Sequence, residues 1–378
     1  MLKVLKARMN VTRQPLYLQI AQTLQREIPQ RYPPGALLDV ADLQSRFGVS
    51  TLTLREALGV LVRQGYIERH KGRGTYVSHS YPRPHVGIVS ELDLFDRGVS
   101  FFYRRVTQVL RTFFRTEGMR VRLYIGHTRP ATEATGLTCD DLAEDLANGQ
   151  IRSLVAVAMK VPPELRELSR QAAVPVVSAS SGSDGCVMLD HADFVRCALD
   201  ELVAAGRRRI AILGSVGVSS DTLIAMLKER GCAVHTGWLQ AGLHPSLPGA
   251  GWETFMTAWA AAPERPNGLL VADDMLFEEA AAAILTQGIS VPKDLYVITH
   301  ANRGAWRRLL IPAVCYEVDP DEVGRVMGEM ALRLMGANPG SHEEAILRFR
   351  RVEPDHRQTP WLTQETKMTS SRGGFVHA

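Results

Sequence analysis

Thr51, Thr53 and Arg55 crowd into one short stretch, STLTLREAL (50–58), and each carries a hydrogen-bond donor. HKGRGTYV (70–77) follows closely, with Lys71 and Arg73 alternating with Gly72 and Gly74. Small hydroxyls and a guanidinium on one narrow face suit hydrogen bonds to base edges and phosphates in a major groove. Cations raised on a glycine-punctuated turn suit neutralisation of phosphate charge or entry into a minor groove. Ser50, Leu52 and Thr75 lie among these groups and complete the candidate DNA-binding set. For any one residue the rival reading is a solvated helix face beside an ordinary basic hairpin; the ordered ensemble weighs against it.

Such side chains need elements that aim them. PLYLQIAQTLQREI (15–28) repeats apolar residues at Tyr17, Ile20, Ala21, Leu24 and Ile28, the spacing of an amphipathic helix. Pro15 suits its first turn, and Pro33, Pro34 and Gly35 stop it from running on. Asp39 can cap a second helix, VADLQSRFG, closed by Gly48. Ser50 can cap a third, from Thr51 to about Gln64, whose Leu54, Ala57, Leu58 and Leu61 share the inward side. Tyr66, Ile67 and Thr75–Val77 then supply the strands of a hairpin around Lys71–Gly74. Residues 1–77 therefore read as a winged helix-turn-helix domain.

Charge divides along the same line. Residues 1–80 hold 12 Lys and Arg against 5 Asp and Glu, and the other 298 hold 32 against 35. A basic head on a slightly acidic body is the electrostatic pattern of a nucleic-acid-binding module joined to something else. Within 378 residues, 45% hydrophobic and 22% charged, no stretch is long and apolar enough for a membrane span. MLKVLKARMN lacks the apolar core of a signal peptide, and the five scattered cysteines suit a reducing cytoplasm rather than a disulfide or metal framework.

SHSYPRPH (78–85) lacks periodicity and reads as a linker. Beyond it, apolar strands such as VGIVS, SLVAVAM, RRIAILGS and NGLLVADD alternate with amphipathic helices, the pattern of βαβ units on parallel sheets. No catalytic constellation emerges. The loops GSVG (214–217) and SGSDG (181–185) lack the P-loop lysine, no GxSxG occurs, and Asp190, His191 and Asp193 alone do not close a metal sphere. We expect no metal, no cofactor and no enzyme activity. The polar segment 354–378 reads as a flexible tail.

PLYLQIAQTL, the PPG turn, DLQSRFGVS, TLREAL and GYIERHKGRGTYV together resemble the DNA-binding domain of GntR-family transcription regulators. Two departures bear on DNA reading: Leu38–Ala41 replaces the family's P-S-E-R, and Thr51-Leu52 stands where many members have Arg-Thr or Arg-Ala. From about 85 to 353 the chain resembles the LacI-type effector domain, itself similar to periplasmic sugar-binding proteins. VMLDHADFVRCALDELVAAGRRRIAILGS and PNGLLVADDMLFEEAAAAILTQGISVPKDLYVIT carry that likeness. The pairing of these two domain types resembles that of arabinose-repressor-type regulators.

The resemblance implies a two-lobed α/β domain over 86–353 with Rossmann-like parallel sheets. Lobe 1 is placed at about 86–182 and 312–342, lobe 2 at about 183–311 and 343–353, with an effector cleft between them. Carried over to the cleft are Asp190 and Asp274, carboxylates suited to sugar hydroxyls. Phe101 and Phe102 are candidate stacking groups, and His300 and Asn302 stand where the family reads Gly-Phe-Asp-Asp. An N-cap is the other role for Asp274, and core packing the other for the phenylalanines. Ser178–Ser180 replaces Ile-Asp-Arg, so a standard pentose, hexose or purine site is not expected. The implied protein is a homodimeric repressor on a palindromic operator in double-stranded DNA, answering to a small molecule, sugar-like in chemistry. An effector-independent regulator with a degenerate pocket is the second reading; an enzyme with an inter-lobe active site is the third.

Overall fold

The computed structural model describes residues 15–79, 84–95, 98–128, 140–214, 217–241, 243–245, 247–305, 309–337 and 340–352. The segment MLKVLKARMN, half of the linker (80–83) and the tail 354–378 lie outside them. The chain forms two compact units, residues 1–86 with 140–152, and residues 87–139 with 153–378.

The first unit opens with α1 (Leu16–Arg31), β1 (Leu37–Leu38), α2 (Val40–Phe47) and α3 (Thr51–Arg63), then β2 (Ile67–His70) and β3 (Gly74–Val77). Asp39 caps α2, accepting from the Ala41 and Asp42 amides at 2.9 and 3.0 Å, and Gly48 ends it in the left-handed region at φ 58°. Leu24, Ile28, Leu43, Leu54, Leu58, Leu61 and Tyr66 close one apolar core. β1 was not expected: Leu37 and Leu38 pair antiparallel with Tyr76 and Thr75, turning the hairpin into a three-stranded sheet. Ser78 belongs to this unit rather than to the linker, since it is buried, its amide donates to the Tyr66 carbonyl and its hydroxyl to Glu68 at 2.7 Å.

The unit also takes in α5 (Asp140–Ala147), which follows α4 (Phe101–Thr116) and β5 (Arg120–Thr128) in the chain. Gln25 explains the tie. It is 6% exposed on the apolar side of α1, and a buried amide needs partners. Its Nε2 donates to the Tyr66 hydroxyl at 3.2 Å and to the Asn148 carbonyl just past α5.

Two six-stranded sheets make up the rest. Sheet one orders as β14-β8-β7-β6-β4-β5 and joins β4 (His85–Leu92), β6 (Ile151–Ala156), β7 (Val176–Ser178) and β8 (Gly185–Leu189), with α6 (Pro163–Gln171) between β6 and β7. Sheet two orders as β10-β9-β11-β12-β13-β15. It is built through α7 (His191–Ala204), β9 (Ile210–Leu213), α8 (Ser220–Glu229), β10 (Leu239–Gln240), α9 (Ala250–Ala260), β11 (Gly268–Val271), α10 (Asp274–Thr286), β12 (Tyr296–Asn302) and β13 (Val314–Val318). After α11 (Pro320–Gly336), β14 (Glu343–Leu347) runs parallel to β8 and β15 (Arg350–Val352) antiparallel to β13. One short closing segment thus supplies an edge strand to each sheet.

The lobe boundaries differ from expectation. β8 and β14 belong to the first lobe's sheet and β13 to the second's, so the crossings fall near 190, 319 and 348 rather than 183, 312 and 343. An apolar strand stays with the sheet it completes, and the chain changes lobe only past the strand's carboxyl end. In the first lobe α11 lies against α4 and is clamped there by the two-pronged Arg105–Asp321 pair at 2.5 and 2.6 Å.

A polar tie fastens β15 to the second lobe. Glu201 on α7 accepts from Arg351 at 2.9 Å, from the Tyr316 hydroxyl at 3.0 Å and from the Tyr296 hydroxyl at 3.4 Å. Burial alone would raise its pKa, but Arg351 and Tyr316 outweigh that and hold it below the usual carboxylate range. Glu201→Ala is expected to cost about 2 kcal/mol, chiefly because it strips the buried Tyr316 hydroxyl of an acceptor it shares with Arg351. A urea midpoint matching the wild type would contradict this role.

Candidate functional site

Helix α3 separates its two faces cleanly. Leu54, Ala57, Leu58 and Leu61 are buried; Thr51, Leu52, Arg55 and Glu56 are exposed. Ser50 caps the helix, its Oγ accepting from the Thr53 amide at 3.2 Å and lying 2.9 Å from the Thr53 hydroxyl. Thr51 Oγ1 points back to Gln44 Oε1 at 3.4 Å. The wing is tied to the helix by Arg69, whose Nη2 donates to the Arg55 carbonyl at 3.2 Å.

At the wing tip Lys71, Gly72 and Arg73 are exposed, and Gly72 sits at φ 73°, a turn conformation that L side chains adopt reluctantly. The Tyr76 hydroxyl donates to the Arg73 carbonyl at 2.9 Å and braces the turn. Thr75 departs from the expected set: at 7% exposure it faces inward, because its neighbours in β3 alternate outward. Arg46 is committed elsewhere. It pairs with Glu27 and lies 4.8 Å over the Phe47 ring, and the Glu27 hydrogen bond raises its pKa.

In the second unit the predicted cleft residues fall into three groups. Phe101, at the capped start of α4, reaches towards Gly304 in the loop after β12. It lines an open cavity of about 660 Å³ with Arg105, Gln108, Arg303, Asp319 and Asp321. The charges there are satisfied mutually, Arg303 binding Asp319 at 2.9 Å and Arg105 binding Asp321. Phe102 turns edge-on to Tyr103, with ring centres 5.4 Å apart.

Asp274 is 4% exposed at the first position of α10, and the capping role goes to Asp273, which accepts from the Met275 and Leu276 amides at 2.8 and 3.2 Å. Tyr103 joins this group. Burial, reinforced by Asp273 and Asp274, pushes its hydroxyl pKa up.

Asp190, His191 and His300 gather around Phe349 in the last lobe crossing. The His191 and His300 rings lie 5.3 and 5.4 Å from the Phe349 ring, which stacks on Phe194 at 4.6 Å. Asp190 caps α7 through the Asp193 amide at 3.0 Å, and its second oxygen lies 3.8 Å from Arg348. Asn302, at the end of β12, is 5% exposed, and neither end of its amide has a hydrogen-bond partner among the described residues. Ser180, where an arginine is lost relative to the LacI pattern, has its hydroxyl 3.1 Å from that of Ser178, which in turn bonds to Ser183 at 2.6 Å. Among the described residues no group of three or more His, Cys, Asp or Glu is placed to hold a metal ion.

Burial pushes the His191 imidazole below its ordinary range, against the pull of Asp190. The folded protein therefore resists a proton that the unfolded chain takes up near pH 6.5, and stability falls as pH drops below that value. His191→Gln is expected to lose less stability than the wild type between pH 7.5 and 5.5, measured by urea denaturation. An identical loss would remove His191 from that account.

Comparison with known proteins resolves the class. Residues 16–77 match the family described as bacterial regulatory proteins, gntR family, and residues 199–356 the periplasmic binding protein-like domain. The chain joins a GntR-type helix-turn-helix domain to a periplasmic-binding-protein-like domain. Curated relatives of the GntR-type head include the HTH-type transcriptional repressor NagR of Bacillus subtilis, 39% identical over 75 residues, which are 18% of this chain and 31% of that one. The mannosyl-D-glycerate transport/metabolism system repressor MngR of Escherichia coli is 45% identical over 65 residues, 17% of this chain and 27% of its own. The match thus spans a third or less of these relatives' length.

Solved structures extend the likeness across the fold. A CelR–cellobiose complex superposes with a TM-score of 0.59 at 17% identity, covering 81% of this chain and 90% of that one. A LacI-family regulatory protein from Chloroflexus aggregans gives 0.58 at 17% identity, covering 71% and 96%. In the periplasmic-binding-protein-like part, Tyr103, His191 and Phe349 were not in the sequence-based cleft set. The FFY triplet at 101–103 carried the signal for Tyr103; Phe349 lies in a lobe crossing whose short strands have no periodicity to read.

Proposed function

We propose that this protein is a cytoplasmic transcription regulator, a repressor that sits as a homodimer on a palindromic operator in double-stranded DNA. Its operator affinity is set by a small molecule, sugar-like in chemistry, held between the lobes. The observation that carries the DNA half is the exposed face of α3, donor-bearing and cationic, set beside Lys71 and Arg73 on the wing. Two such heads related by a two-fold axis match a palindrome. The repressor names of NagR and MngR support the direction of control.

The effector half is supported by Asn302, whose buried amide offers a donor and an acceptor to a hydroxyl, and by the cellobiose held in the CelR complex. A ligand bridging the lobes favours one lobe arrangement, and its differential affinity is what shifts the heads on their half-sites. Gel-shift titration on duplex from upstream of the protein's own coding sequence, over a salt series, tests the DNA half. Affinity should fall steeply as salt rises, and absence of salt-dependent binding would refute it.

A second reading removes the switch. It is favoured by Asp190 and Ser178, whose polar atoms are already engaged in a helix cap and a serine–serine bond. Thermal-shift screening against sugars and polyols separates the two. A true effector at 100 times its Kd adds about 2.7 kcal/mol of stability, whereas the effector-independent regulator shows no shift with any of them.

A further inference from the structure

Leu52 is 67% exposed at the second position of α3, on the same side as Arg55, Glu56 and Gly59 and opposite the buried leucines. It takes no part in the apolar core of its unit. Its two neighbours have their hydroxyls turned back into the protein, Thr51 onto Gln44 and Thr53 onto Ser50. Leu52 thus stands exposed in the first turn of the helix, where the hydroxyls beside it are engaged within the protein, and it carries no side-chain donor or acceptor.

An aliphatic side chain inserted into a major groove has one distinctive feature to read there, the C5 methyl of thymine. We propose that Leu52 reads thymine by apolar contact with that methyl group, and so fixes a thymine at one position in each half of the operator. The proposal rests on the reading of α3 as the groove-entering helix. It gives Thr51 and Thr53 a different task, that of holding the helix start at the angle that presents Leu52.

Apolar contact of this size changes affinity by about fourfold per methyl group. Duplexes enriched from a randomised library by the full-length protein should show a recurring thymine in each half-site. Replacing that thymine with deoxyuridine, which removes only the methyl, should weaken wild-type binding about fourfold per half-site. Leu52→Ala, at an exposed position and with an unchanged melting temperature, should bind thymine and deoxyuridine duplexes equally. The proposal is overturned if deoxyuridine at every recurring thymine leaves wild-type affinity unchanged, or if Leu52→Ala keeps the wild-type sensitivity. Salt-dependent binding with no recurring thymine overturns it alone, while absence of any salt-dependent duplex binding overturns the underlying reading of the domain.

Discussion

In the Arg55→Ala, Arg73→Ala double variant, operator affinity is expected to fall by at least about 100-fold, while the melting curve stays within experimental error of the wild type. Both guanidiniums are exposed, and neither forms an ion pair among the described residues. What each residue contributes to the fold is its backbone: the Arg55 carbonyl accepts from Arg69 and the Arg73 carbonyl from Tyr76. Alanine keeps both acceptors, so loss of binding would report the side chains alone. In a dimer the change removes four cations from the interface, and the dependence of log affinity on log salt should flatten by up to about one per lost phosphate contact. Unchanged affinity and slope in gel-shift titration would exclude α3 and the wing from the DNA contact.

Gly251→Val is expected to destabilise the second lobe by about 3 kcal/mol or more, a large fraction of an ordinary domain's stability. A Cβ at Gly251 would fall 2.2 Å from the Leu276 carbonyl oxygen and 2.9 Å from the Glu279 Cβ, so α9 and α10 would have to part. Parting them breaks more than packing. Glu279 on α10 accepts from the Gly249 and Gly251 amides at 2.9 and 2.7 Å, acting as the cap that α9 lacks in its own sequence. Gly336→Ala is the control. Nothing lies within 4 Å of the added methyl, and this helix-end alanine should be neutral or slightly stabilising. Equal urea midpoints for the two variants would show that the close α9–α10 approach is not what the lobe depends on.

The head was legible in its sequence because each helix announces both ends locally. Asp39, Gly48 and Ser50 are caps whose chemistry acts over three residues, and the leucines of α3 repeat with the helical period. β1 escaped because Leu37 and Leu38 form a strand only through a partner far along the chain, at Thr75 and Tyr76. The lobe crossings slipped for the same reason. Whether GCVML closes one sheet or opens the next depends on its pairing with β7 on one side and, on the other, with β14, more than a hundred residues away in the chain. In the cleft, strand-end position marked Asp190 and Asp274, but not which of them was spent on a helix terminus. That turned on the neighbouring Asp273, which took the cap and left Asp274 buried beside Tyr103.

The segment from Glu343 to Val352 borders both sheets, and its two strands are separated only by Arg348 and Phe349. Ending the polypeptide ahead of Glu343 would bare a margin of each half at once, whereas ending it at Phe349 would bare only the second half's. The two halves are sewn with a common thread, and any pivoting between them must bend it where Phe349 lies wedged against His191 and His300.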